Sequence, residues 1–469
     1  MPPKRGTRGS PVMQAKEAQL GSTDSAAEET AVARKVYRRL SWFLVLLFIC
    51  SYLDRINISF AALAMNKDLG LTATMYGLAG SIFYIAYVLA EIPSNMMMPR
   101  FGARIWIPRI MITWGLASAA TVFAVGPYSL YALRALTGLA EAGFMPAVLL
   151  YLTYWFPSAY RARATAMFIM AQPITIMFGS SVSGFILDMH GFLGLAGWRW
   201  LFLLEGLPAV VLGVIAFFYL NNRPEEADWL TAREKDVLRE ALAKSEGAER
   251  NVRAGAPASG ILGELFSAPV LLLALTYLGL VVSLVTNSTW VPQIVRAFVA
   301  NGSYATIGLI AALPSLAAIL IMPLWSASSD RRQERRWHVM LPMGLAAIGW
   351  LCVALLSDPT LRLVGLIFCS VGTFAAQGIF WTLPATFLSP QARPVGIAMV
   401  NTIGMIGTTI GPVTVGWLKD FTGTFVSGLI FVACCVALSA LCVLIVPRMH
   451  RDEEVSVKTV PADPSLISQ

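Results

Sequence analysis

Blocks of about 20 or more mostly apolar residues recur along this chain, each parted from the next by a short polar or basic segment. A helix of that length matches the roughly 30 Å hydrocarbon core of a bilayer. The composition agrees. Hydrophobic residues make up 57% of the 469 and charged residues only 13%, where soluble domains carry about a quarter. Lipid excludes open sheets, and the blocks lack the apolar–polar alternation of a barrel, so the crossings are helices. The chain reads as an all-α polytopic membrane protein.

Twelve spans are expected, at 41–65, 75–97, 104–126, 129–156, 162–188, 198–220, 267–292, 304–326, 337–357, 361–388, 394–418 and 423–446. They divide the chain into a disordered tail (1–36), a first six-helix bundle (37–220), a polar loop (221–265), a second bundle (266–447) and a tail (448–469). Within the loop, Thr231 and Glu234 have the spacing of a capping box that opens an amphipathic helix. No apolar core segment precedes span 1, so that span is expected to act as the insertion signal.

The two bundles repeat one another. "GFILDMHG" from Gly184 and "GWLKDFTG" from Gly416 share the pattern G-x-x-x-D-x-x-G at an offset of 232 (416 − 184). "PRFGAR" from Pro99 and "DRRQER" from Asp330 lie 231 apart (330 − 99), each read as a basic loop after the second span of its half. Two matches at one offset, at equivalent points of two six-span halves, indicate duplication. Twelve helices in two six-helix pseudo-repeats are the organisation of the major facilitator fold, whose substrate site lies between the halves near mid-membrane. Arg100, Arg104, Arg161, Arg163, Arg331, Arg332, Arg335, Arg336 and Arg393 fall on one side. Lys67, Arg296, Arg362 and Lys419 are the main cations of the other. Lys/Arg excess marks the cytoplasmic side, which puts both tails and the loop inside.

Charges inside spans are costly and mark function. Asp54 and Arg55 sit in span 1, and Arg134 and Glu141 in span 4, the last two about 10 Å apart on one face. Arginine presents a planar fork of donors suited to a carboxylate. A carboxyl group in a poorly solvated cavity holds a proton more readily, and a neighbouring arginine opposes this. Two acids and two arginines facing one water-filled space would therefore bind an anion and a proton together. The plainer alternative is a pair of internal salt bridges that hold the bundle.

"YLDRINISFA", "ALRALTGLAEAGFMPA", "GARIWIPRI" and "GWRWLFLLEGLPA" resemble the anion:cation symporter branch of the major facilitator superfamily. That branch includes bacterial carriers of sugar acids, tartrate-like acids and aromatic acids, and animal sialic-acid and vesicular glutamate carriers. The likeness runs from about Arg38 to Pro447. It implies that Asp54 and Glu141 handle protons, and that Arg55, with Tyr52 beside it, contacts the substrate carboxylate. Arg134 would tune Glu141. Tyr87, Gln172, Trp381 and Asn401 match cavity-lining positions, although a lone Tyr, Gln or Asn in a span equally well bonds a neighbouring helix and Trp381 equally well packs. Gly378 departs from the pattern, standing where sugar-acid carriers can have a hydroxyl. Arg100, Asp330 and Arg331 resemble the cytoplasmic gate. Asn287 and Trp290 would cap the site from the second half, and Glu205 would bond between helices.

The expected activity is proton-coupled uptake of a small carboxylate by a monomer in the bilayer, with the proton as coupling ion and no other cofactor. An anion exchanger or a uniporter is the alternative, and a transporter-like sensor a third. Cations dispersed among short loops argue against nucleic acid. No nucleophile–base pair or metal-ligand spacing stands out, and the six cysteines, all within spans, read as packing residues.

Overall fold

The structure, a computed structural model, describes residues 28–254, 263, 266–299, 301–384, 388 and 393–445. The expected tail after 447, residues 1–27 of the first tail and the side chains of Arg163 and Arg393 lie outside the described residues. The spanning helices follow the expected order. In the first half they are α1 (Trp42–Asp68), α2 (Ala73–Phe101), α3 (Ala103–Ala119), α4 (in two pieces, Pro127–Glu141 and Phe144–Trp155), α5 (Ser158–Leu187) and α6 (Gly197–Tyr219). In the second half they are α7 (Ala268–Phe298), α8 (Tyr304–Arg332), α9 (Arg336–Leu355), α10 (Pro359–Phe380), α11 (Arg393–Met405 and Gly407–Thr422) and α12 (Val426–Ile445). Among the described residues, eleven helices are long and apolar enough to cross a membrane, and α5 contributes a shorter apolar stretch, Ala171–Leu187. All six cysteines are free.

Four expectations need correction. Residues 28–36, read as part of a disordered tail, are helical and run into α1 through a π-helical turn at Tyr37–Ser41. Val32, Ala33 and Val36 are buried there, and Lys35 and Glu28 pair with Glu234 and Arg233 of the loop helix. Tertiary burial orders a segment whose composition alone reads as tail. Second, α10 stops at Phe380, short of the expected 388, so Trp381 is its C-cap rather than a residue inside the span. Third, α2 and α8 continue through Arg100 and Arg331, so these gate candidates occupy last helical turns, not loops. Fourth, α4 breaks after Glu141. Ala142 is extended and Gly143 is left-handed at φ 87°. A Cβ on Gly143 would also collide with Ser94 of α2, so only glycine serves at that position.

The loop helix (Ala232–Ala254) begins as the capping box requires. Thr231 N–H donates to Glu234 Oε2 at 2.8 Å, and Glu234 N–H donates back to Thr231 Oγ1 at 3.3 Å. Leu238 and Ala241 bury its apolar face, Leu238 within the core of the first half.

The halves meet along α2–α11, α5–α8 and α1–α7. Their junction is lopsided. Near the face where α2 and α8 begin, one continuous core contains residues of both halves, among them Met65, Tyr76 and Trp198 with Trp290, Val295 and Leu429. The core that reaches the other face, around Met98, Trp155 and Leu238, contains only residues before the second half. Among the described residues, the first face is closed and the second open. The repeated motif builds the closure. Asp188, at the end of α5, accepts from Tyr304 N–H (3.1 Å) and Ala305 N–H (3.0 Å) at the start of α8. Asp420, its repeat, accepts from Ala73 N–H (2.9 Å) and Thr74 N–H (2.7 Å) at the start of α2. Each carboxylate thus neutralises the positive end of a helix of the opposite half.

Glycines let the same helices touch. A Cβ on Gly77 would strike the Pro412 carbonyl oxygen, and one on Gly308 would strike that of Ser180. Gly77→Val or Gly308→Val is therefore expected to push the closed face apart by about 1–3 kcal/mol. Spin labels at the exposed Phe192 and Phe421, one in each half, should report a longer distance. An unchanged distance would show that the glycines are not what permits closure.

Candidate functional site

The charged residues of α1 and α4 do not share one space. Asp54 and Arg55 are consecutive on a helix, and consecutive side chains point about 100° apart. Asp54 faces backwards, into the first half, and is 1% exposed. Its Oδ1 accepts from Ser118 Oγ at 2.7 Å and Asn57 Nδ2 at 3.0 Å, and its Oδ2 from Trp114 Nε1 at 2.8 Å. The expectation of two acids and two arginines around one cavity is corrected to this extent. Asn57 serves within α1, and Trp114 and Ser118 of α3 are partners that the span-by-span reading missed. Their signal is only that both are buried polar groups in an apolar helix.

Arg55 points the other way and keeps 18% of its side chain exposed. Its Nε donates to Glu141 Oε1 at 2.8 Å. Ser51 Oγ, one turn earlier on α1, donates to the same oxygen at 2.8 Å. Glu141 is wholly buried, and its Oε2 has no hydrogen-bond partner among the described residues. The break after Glu141 and the close approach of Gly138 to the Phe83 carbonyl bring this end of α4 against α2.

An aromatic face of α2 completes the surroundings. The Arg55 guanidinium lies 5.7 Å from the Phe83 ring and 5.0 Å from the Tyr87 ring, and that of Arg134 lies 4.6 Å from Phe83. Two cations thus share one ring, an arrangement that holds guanidiniums without neutralising them. Arg134 is 3% exposed and its Nε lacks a hydrogen-bond partner. Tyr52 and Gln172 are joined, Gln172 Nε2 donating to Tyr52 Oη at 2.6 Å across α1 and α5.

Among the described residues, the second half brings no charged side chain to this site. Asn287 donates to Ser370 Oγ (2.7 Å), and Ser283 and Thr373 pair at 2.7 Å. Tyr277, Phe380 and Trp381 form an aromatic group, with Trp381 edge-on to Tyr277 at 4.7 Å. Asn401 is half-buried, with no hydrogen bond to another described residue. At Gly378 a Cβ would meet Met322 Cε at 2.9 Å, so a larger residue there need only turn aside the flexible end of the Met322 side chain. Trp290 does not cap this site. It is buried in the closed face against Tyr76 and Phe425. Glu205 accepts from Ser183 Oγ at 2.7 Å, the interhelix bond expected of it.

The gate candidates do not join the halves. Asp330 pairs with Arg335 of its own half at 2.5 Å, and Arg100 and Arg331 are exposed at the open face. The joints are Asp188 and Asp420, which the sequence flags as a repeat without revealing their partners.

The description of the Major Facilitator Superfamily matches residues 44–412 and, again, 301–468. The chain belongs to that superfamily. Its twelve-helix, two-half plan is accordingly that of a membrane transporter and not of an enzyme. A "Putative tartrate transporter" of Agrobacterium vitis is 44% identical over 420 residues, covering 90% of this chain and 95% of that protein. A "Quinolone resistance transporter" of Acinetobacter baumannii is 37% identical over 405 residues, covering 86% and 92%. Among solved structures, a D-xylose-proton symporter has the same fold at TM-score 0.68 and 14% identity, covering 87% of this superfamily member and 98% of the symporter.

Proposed function

We propose that this protein couples uptake of a small organic carboxylate, of the tartrate class, to a proton by alternating exposure of one site between its halves. The observation that carries the proposal is the Arg55–Glu141 pair: an arginine that keeps a small part of its side chain exposed, with a partner carboxylate that is wholly buried and, among the described residues, half unsatisfied. An incoming carboxylate competes for Arg55. Glu141, released from its cation in a dry setting, then takes a proton, because a lone buried charge is far costlier than a neutral acid. Anion and proton therefore enter together and leave together. Asp54 has no cation within ion-pair distance among the described residues and serves as a second proton carrier behind α1. Arg134 keeps the field around Glu141 positive. Tyr87, Gln172 with Tyr52, Trp381 and Asn401 shape the cavity. The tartrate-named relative, similar over nine-tenths of the chain, supports the substrate class.

The face bearing Arg100, Arg104, Arg331 and Arg336 is the cytoplasmic one on the Lys/Arg rule. The conformation described is then closed outside and open inside. Arg100, Asp330 and Arg331 would close the inner face when the halves rock.

The test is uptake of labelled L-tartrate into proteoliposomes under an inward pH gradient, with and without a protonophore. Accumulation that collapses with the protonophore is expected, and Asp54→Asn should reduce it at least about tenfold while leaving tartrate counterflow measurable. Flux that ignores the pH gradient and follows a preloaded counter-anion would instead identify an exchanger.

A further inference from the structure

A cluster of cations lies at the closed face, away from Arg55 and the aromatic group. Five Lys/Arg residues lie at the closed face: Lys67, Arg199, Arg296, Arg362 and Lys419. Arg199 lines a cavity together with Asp68. The other four come from four different helices, α1, α7, α10 and α11, and all line one cavity of about 720 Å³. That is ample for a small organic acid.

One acid among the described residues, Asp420, lines the same cavity as these four cations. Among the described residues none of the four makes an ion pair. Lys419 rests on the Phe425 ring (4.1 Å). Arg296 and Arg362 each spend one donor on a carbonyl, of Gly302 (2.6 Å) and Leu356 (2.5 Å) respectively, and keep the rest. The nearby acids are committed elsewhere. Asp420 and Asp188 hold helix starts of the opposite half, Asp358 caps α10 through Leu361 N–H, and Asp68 accepts from Trp198 Nε1. Two neutral groups in the same wall have hydrogen-bonding capacity left among the described residues: Asn66 Oδ1, an acceptor, is buried without a partner, and the Gln293 amide nitrogen, beside the Tyr76 hydroxyl, has a second N–H to give. Buried polar atoms seldom stay unpaired unless something else pairs them.

We propose that this cavity is a capture site for a small hydroxy-dicarboxylate. The cations and the Gln293 amide take its carboxylates, and Asn66 takes a hydroxyl. The ligand class rests on the uptake reading above, but the site is separate from Arg55 and is built while that face is shut. It would concentrate the dianion beside Asp420 before the halves part, as a focused positive field does for any anion.

Lys67 reports on occupancy. The full chain in phosphatidylcholine nanodiscs is treated with a water-soluble acylating ester, and labelling is read by peptide mass spectrometry. L-Tartrate is expected to slow acylation of Lys67 about fivefold or more. Erythritol should not, and the exposed Lys244 of the loop helix should label equally throughout. Arg296→Gln with Arg362→Gln should remove the protection. Equal labelling with and without tartrate, or equal protection by erythritol, overturns the proposal. So does protection by phosphatidylglycerol nanodiscs to which tartrate adds nothing, since the occupant is then a lipid headgroup. Labelled tartrate uptake in the same preparation separates the two readings. Protection without uptake keeps the capture site and removes the transport reading, and uptake without protection does the reverse.

Discussion

Arg55→Ala is expected to reduce L-tartrate uptake by at least about a hundredfold. The substitution acts twice. It removes the donor fork that a carboxylate needs, and it strands Glu141, which is wholly buried and already has one oxygen without a partner. Removing one member of a buried ion pair costs about 3–5 kcal/mol, equivalent to roughly a hundred- to several-thousandfold. Lysine at 55 restores a charge without the planar fork and should recover only a small part of the rate. Loss of fold is separable from loss of docking. Arg55→Ala combined with Glu141→Ala removes the stranded charge, so the double variant should regain the thermal stability of the parent and still fail to transport. Retention of more than a tenth of the uptake by Arg55→Ala would remove Arg55 from the site.

Asp188→Asn combined with Asp420→Asn should shift the halves away from the closed-face arrangement. Each carboxylate accepts two backbone N–H groups at the start of a helix of the other half, and Asp420 also accepts from Thr74 Oγ1. Asparagine can still accept one bond, but it loses the charge that answers the helix dipole, a loss of about 1–2 kcal/mol per latch. The two latches share no partner, so their effects should add, giving a change of roughly 30- to 700-fold in the closed-to-open ratio. Distance distributions between spin labels at Phe192 and Phe421 read this directly. Asp358→Asn is the control, because Asp358 caps α10 within its own half. If the control moves the distribution as far as the double variant, capping in general and not the latch sets the equilibrium.

The spans were legible because lipid imposes a length and a composition on every crossing, and α7, α8 and α9 start within a residue of where hydropathy puts them. The duplication was legible as well, and its two aspartates turned out to be the joints. Their role was not, since a carboxylate at a helix end does not reveal which helix start it will meet. Asp54 illustrates the same limit within one helix. The cost of a charge in a span announces the residue, but the direction it faces depends on where α3 packs. Residues 28–36 were missed because their order comes from contact with the loop helix. Trp381 was expected inside the span 361–388 because "FWTLPATF" is apolar enough to extend α10, although the helix stops at Phe380.

The site is unequal in its two walls. The buried acids and arginines described at it, Asp54, Arg55, Arg134 and Glu141, belong to the first half, while the second half offers aromatic rings and neutral amides. On the proposed reading, proton coupling would rest on the first half, while Arg55 of the first half and the rings and amides of the second would share the choice of cargo. On that reading, substitutions at Tyr277, Trp381 or Asn401 would redraw the acceptable cargo and leave the proposed proton chemistry in place, so a lineage built on this plan could change its diet without reinventing its engine.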